Sequence, residues 1–237
     1  MMAATTALLL LADGRYPAGG HAHSAGLEAA VAAGRVHDLL SLDAFLRGRL
    51  ATAGLVSAAF AAAACARAVL CGAALEPANL GSDDLGVGLA NLDAGLDARM
   101  AGPAVRLASR RQGRALARAG RATWPSTLFE SLAGSPHHPV ALGVVAAAAG
   151  LGVEQAALSA AYGTITGPAA AAVRLLRPDP YAVQALLAGL ADECDAVAAA
   201  GAAHATGPVT ELPAATGPLA DISAEIHASW EVRLFAS

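Results

Sequence analysis

A chain of 237 residues, 56% of them hydrophobic and 14% charged, is long enough to bury one full core without disulfide or metal staples. A net charge of -4 gives it no global attraction for nucleic acid. All 15 basic residues are arginine, which excludes a Walker A phosphate loop and Schiff-base chemistry, because both need lysine.

The mean hydropathy of +0.51 raises the question of a membrane protein. The uncharged runs Leu50 to Ala66 and Gln155 to Val173 are dominated by alanine, glycine and hydroxyl residues. Insertion needs about 20 residues with real transfer energy, so buried helices are expected instead. Leu8 to Leu11 has neither a basic residue before it nor a cleavage site after it, and a cytoplasmic protein is expected. Cys65, Cys71 and Cys194 lack metal-ligand or redox spacing and read as small core residues.

In chain order, Thr5 or Thr6 caps a short helix through Leu8 to Leu11, which ends at Asp13-Gly14. Pro17 to Glu28 follows, with three glycines, two histidines, a proline and a serine in twelve positions. Pro17 with Gly19-Gly20 reads as a turn, and Ser24 as the N-cap of a helix carrying Glu28 in its first turn and stopping at Gly34. Ser41 is expected to start a third helix with Leu42, Phe45, Leu46 and Leu50 on one face. Gly54 marks a break or a close packing contact before the alanine-rich helix Leu55 to Leu70.

A long loop is expected from Cys71 to Gly88, then a helix from Leu89 to Met100. Pro103 suits the first position of the next helix, which ends before Trp124-Pro125. Pro136-His137-His138-Pro139 precedes a helix from Val140 to Ala149. Helices Val153 to Ile165 and Pro168 to Leu176 are separated at Gly167, and Asp179-Pro180 caps a long helix from Tyr181 to His204. No segment alternates in the strand period, so the expected fold is all-α, a single-domain bundle of roughly eight to ten helices. Residues 1–205 form its core, 206–218 a proline- and glycine-rich linker, and 219–237 a C-terminal tail whose apolar Ile222, Ile226, Trp230, Leu234 and Phe235 read as a partner-docking element, the alternative being a segment that packs back onto its own bundle.

The most unusual helix carries Arg106, Arg110, Arg114 and Arg118 every fourth position, with Arg111 and Arg121 beside them and no acid between Asp97 and Glu130. Like charges at that spacing repel, which favours an acidic partner surface in this chain or another. A solvated face is the bland alternative.

No convincing active site emerges. His21 and His23 would share a side of an extended turn but lack a third ligand, and His137-His138 read as capping or packing residues. Ala22-His23-Ser24-Ala25-Gly26 misses the first glycine of a nucleophile elbow and has no strand before it. Neither a catalytic residue, a cofactor nor a metal site is assigned.

Several blocks resemble one family. Leu9, Leu10, Asp13, Pro17, Gly19, Gly20, His23, Ser24, Gly26, Leu27, Glu28, Gly34 and Val36 are similar to the N-terminal signature of the urease accessory protein UreF family. Arg106, Ala108, Ser109, Gln112 and Gly113 resemble a second block, and His138, Val140 and Gly143 a third, with His137 as the other possible match for the histidine. Arg174-Leu175 and Gln184 resemble a fourth, although Arg177-Pro178-Asp179-Pro180 replaces the proline-leucine-glycine-glutamine segment often found there. Pro218, Asp221, Ile222, His227, Arg233, Leu234, Phe235 and Ser237 resemble the family tail.

The resemblance implies a non-enzymatic, all-helical and dimeric protein. It would join UreD/UreH and the GTPase UreG to help insert nickel into apo-urease, with UreF coupling or regulating GTP hydrolysis. Contact residues for these partners are then sought among His23, Ser24, Glu28, Arg106, Ser109, Arg110, Gln112, Arg114, Arg174, Asp221, His227, Arg233, Leu234 and Phe235. The alternative from another class is a histidine-based nickel-binding carrier.

Overall fold

The computed structural model describes residues 4–73 and 82–235. Among them the chain is all-α: α1 (Ala4–Ala12), α2 (Leu27–Ala32), α3 (Leu39–Arg49), α4 (Leu55–Ala73), α5 (Ser82–Asp97), α6 (Pro103–Thr123), α7 (His138–Ala148), α8 (Val153–Leu175), α9 (Pro180–Gly189), α10 (Ala191–Ala202) and α11 (Pro218–Ala228). A π-helical turn at Leu50–Gly54 joins α3 to α4 without a break.

Alanine dictates the arrangement. Ala58, Ala59, Ala61, Ala62, Ala63 and Ala64 of α4 are fully buried, and α4 packs against α7, α8 and α10. Ala58, Ala62 and Ala66, one helical turn apart, belong to a core shared with α2, α3, α8, α9 and α10. Ala59, Phe60, Ala63 and Ala64 belong to a second core with α5, α6 and α7. Methyl side chains supply little burial each, so contact must come from close backbone approach. Two glycines provide it. A Cβ on Gly143 of α7 would overlap Ala61 O and lie 2.6 Å from Ala64 Cβ, and one on Gly201 of α10 would lie 2.6 Å from Ala58 Cβ.

The α3–α4 helix is long and apolar enough to cross a membrane over Leu39–Gly72, yet 67% of its apolar window is buried inside the bundle. Cys65 and Cys194 are buried, and burial pushes their thiols up to about 12 and about 11, well above the nucleophilic range.

Several local expectations are corrected. Thr5 and Thr6 lie inside α1 rather than capping it. The cap of α3 is Asp38, whose carboxylate accepts from Ser41 N while Ser41 Oγ accepts from Asp38 N, a reciprocal box that places Ser41 at N3. The expected loop at 71–88 lies partly outside the described residues, and α5 already begins at Ser82. Helix α8 runs unbroken through Gly167 with Pro168 inside it. Proline has no N–H for Thr164 O, and Arg49 Nε donates to that carbonyl instead at 3.4 Å. The helix expected from Tyr181 to His204 divides at Leu190.

The stretch 206–218 is packed rather than free. Leu212 is buried, and the Arg99 guanidinium donates to the carbonyls of Gly95, Val209, Leu212 and Pro213 at 2.8–3.0 Å. A single side chain thereby reaches the carbonyls of Leu212 and Pro213, which lie outside any helix, and adds a donor to those of Gly95 and Val209.

Two substitutions test the close-approach argument. Gly143→Ala is expected to destabilise the fold by about 2 to 3 kcal/mol in urea denaturation, because the new methyl meets backbone atoms that cannot rotate away. Gly48→Ala, in a helix position with nothing within 4 Å of its would-be Cβ, should be neutral or slightly stabilising.

Candidate functional site

The glycine-rich stretch after α1 is shaped by backbone requirements. Left-handed φ values fall on Gly19 (77°), Ala25 (53°) and Gly26 (88°), whereas Gly20 opens a short 3-10 turn. Gly26, not Ser24, stands at the N-cap of α2. Ser24 is buried, and its Oγ accepts from Glu28 N at 3.3 Å. Arg49 holds the turn from beneath, donating to Ala25 O at 2.8 Å as well as to the freed carbonyl of Thr164. Its burial lowers the guanidinium to about 10, with Asp221 acting in the opposite direction.

This turn delivers Glu28 to the interior. The Glu28 carboxylate accepts from His227 Nε2 at 2.8 Å, Leu234 N at 2.9 Å and Phe235 N at 3.1 Å, so residues near the two ends of the chain meet on one side chain. Burial raises the carboxyl, but the Leu234, His227 and Phe235 donors together outweigh it and hold the group below its ordinary value. Phe235 is buried beneath the Arg174 guanidinium, 5.2 Å from the ring centroid, and the His227 ring lies against Trp230 at 4.8 Å.

Helix α11 is fastened at other points. Arg35 Nη2 donates to Ser223 Oγ at 2.7 Å. Glu225 Oε1 accepts from Ala104 N at 2.7 Å, capping the first turn of α6, whose own N-cap is Gly102 and has no side chain to do so. Asp221 is half-buried, and burial and Glu225 raise its carboxyl against the opposing pull of Arg49.

The buried side of this helix is therefore polar and its outer side apolar. Ser223 and His227 are buried, while Leu219, Ile222 and Ile226 are 57%, 58% and 55% exposed. Val232 and Leu234 extend the exposed apolar surface beyond the helix.

The arginine helix is divided by its neighbours. Arg106 Nη1 donates to Met100 O at 2.8 Å. Arg110 bridges Asp93 at 2.8 Å and Asp97 at 2.7 Å and donates to Ser135 O. Buried His137 completes this network. Its backbone N–H donates to Asp93 at 2.7 Å, and its ring lies 2.8 Å from Asp97 Oδ1 and 3.0 Å from Ser109 Oγ. Burial lowers the His137 pKa more than Asp97 raises it. The neutral ring then donates from Nε2 to Asp97 and accepts at Nδ1 from Ser109 Oγ–H, while Ser109 Oγ also accepts from His138 N. Gly113 admits the Pro136–His138 backbone against α6, where a Cβ would overlap it. The serine, histidine and aspartate form a packing network joining α5, α6 and the start of α7.

The structure thus gathers Ser24, Glu28, Arg174, His227, Leu234 and Phe235 at one place, with Asp221 on the same α11 helix. Ser109 and Arg110 lie in the second network and are committed internally. Gln112 is half-exposed, and Arg114 and Arg233 are exposed. His23 is half-buried and electrostatically coupled to His138, whose pKa burial lowers to about 4, with His23 adding to the shift. Among the described residues no three His, Cys, Asp or Glu side chains cluster as a metal site.

Sequence reasoning missed Arg35, Arg49, Asp93, Asp97 and Glu225. Pro168 was the available signal for Arg49, since a proline inside a helix leaves one carbonyl in need of a donor.

These features define an all-α bundle whose C-terminal helix is latched to its N-terminal region with an apolar face outward. Comparison with known proteins places that bundle in a family. The UreF family model matches residues 36–191. Proteins named urease accessory protein UreF are 46% identical in Mycobacterium sp. (strain JLS), 42% in Mycolicibacterium vanbaalenii and 39% in Mycobacterium tuberculosis (strain H37Rv), each over the full length of both chains. The chain belongs to the UreF family.

Because folding lowers the Glu28 pKa below its ordinary 4.5, the latch stabilises the fold above that value and is lost as pH falls through the folded value. Glu28→Gln should mimic this at neutral pH. It is expected to weaken docking of the tail by about 2 to 3 kcal/mol, read as a red shift of Trp230 emission in a Trp124→Phe background with little loss of helical circular dichroism. An unchanged Trp230 spectrum would show that the carboxylate does not hold the tail.

Proposed function

We propose that the chain is a non-catalytic adaptor in urease maturation, acting in the cytoplasm with UreD/UreH, the GTPase UreG and apo-urease during nickel insertion, and forming a homodimer. Its relatives carry the name urease accessory protein, and membership of their family is the ground for the partners named. The observation that carries the contact mechanism is the inverted polarity of α11. A helix that spends Ser223, His227 and Glu225 on its own bundle while leaving Leu219, Ile222 and Ile226 in solvent has an apolar face available to another protein. We assign that face, with Leu234, to UreD/UreH. Nucleic acid and membrane are not among the proposed partners.

Truncation after Gly217 would remove the partner-facing residues and the internal fastenings together. Ile222→Asp with Ile226→Asp is the cleaner test, because both side chains are exposed. The double variant is expected to keep its thermal unfolding midpoint and to lose at least about tenfold in affinity for UreD/UreH, with matching loss of urease activation. Normal association by the folded variant would reject this face as the contact. Stoichiometric tight nickel binding by the isolated protein would instead favour the carrier reading.

A further inference from the structure

The exposed C-terminal part of the arginine stripe is not accounted for by the tail or by the internal network. Arg106 and Arg110 are satisfied within the chain, but Arg111, Arg114 and Arg118 are exposed and form no ion pair among the described residues. With Leu107 and Arg121 they follow one another at spacings of four, three, four and three, which puts all five on one side of α6. Arg121 is exposed but oriented, donating to Phe129 O at 3.0 Å with its guanidinium 5.5 Å from that ring's centroid. Leu107, 51% exposed, closes the other end of the stripe with an apolar contact point. The face is about 20 Å long at the helical rise per residue.

Helix-dipole stabilisation explains a cation in the last turn, where Arg121 stands, but not Arg111 and Arg114 further back. These like charges repel along the helix, and no ion pair among the described residues offsets that repulsion. We propose that this face docks an acidic helix of a partner protein, independently of the α11 contact. Planar guanidinium groups pair bidentately with carboxylates, and glutamates spaced three and four apart on a facing helix would repeat at the same rise. Nucleic acid fits less well: the net charge is -4, and Trp124, the aromatic residue nearest the stripe in sequence, is stacked on Tyr16 at 5.8 Å.

The test uses the full chain and a fluorescent helical peptide of about 15 residues with glutamates at those spacings, beside a glutamine version. Wild type is expected to bind the glutamate peptide at least about tenfold more tightly, with the preference falling as salt rises from roughly 50 to 300 mM. Arg111→Glu/Arg114→Glu/Arg118→Glu should abolish that preference and instead bind a peptide carrying arginine at the glutamate positions. Arg114→Gln/Arg118→Gln serves the same purpose if charge reversal disturbs folding. Equal binding of both peptides, retained preference in a folded variant, or tighter binding of duplex DNA or anionic vesicles would overturn the proposal. So would loss of self-association in the variant, which would assign the stripe to a second copy.

Discussion

From Ala58 to Ala64 the side chains of α4 are methyl groups apart from Phe60, and helices α7 and α10 approach its backbone until only glycine fits at Gly143 and Gly201. This close crossing is the constraint on which the bundle depends. It separates two cores, one on the α5–α7 side and one on the side of α8 and α10, and gives each an almost smooth wall. A helix of this kind cannot select its neighbours through large interlocking side chains, because it has few. Selection passes to the places where the opposing backbone can come close.

A core rich in alanine leaves much of the positional information to polar groups, and here arginine carries it. Arg49, Arg99 and Arg110 each reach carbonyl groups contributed by distant loops or turns, and Arg67 reaches Gly207 O. The guanidinium fork suits this role because several donors in a fixed plane can satisfy more than one carbonyl at once while the charge stays on the side chain. An ammonium group would offer three donors from a single point. The absence of lysine from the chain is consistent with this structural use of cations.

The same distribution shapes the surface. Glu28 and Arg35 hold α11 by its polar side, so the apolar side has nowhere to turn but outward. On α6, Asp93 and Asp97 pair with Arg110, and among the described residues neither pairs with the outer stripe. Both exposed faces are therefore consequences of internal bonds rather than independent decorations. The helices that carry them are in contact, since the first turn of α6 is capped by Glu225 of α11.

Hydrophobic period, glycine stops and proline starts were enough to read the helical class, the bounds of α6 and the Asp179-Pro180 start of α9, because these depend on neighbours in sequence. The blocks around Glu28 and in the tail were enough to suggest the family. Sequence proximity misplaced the α3 cap by three residues and broke α8 at Gly167, where a distant arginine supplies the donor that Pro168 lacks. It also read 206–218 as a linker, since Arg99 holds that stretch through the backbone carbonyls of Val209, Leu212 and Pro213, which carry no signature in the sequence. Local pattern identified Glu28 and His227 as separate members of two motifs. Only the tertiary structure placed one carboxylate against both His227 and the backbone at Leu234 and Phe235, because a hydrogen bond between residues about two hundred positions apart has no periodic signature in the chain.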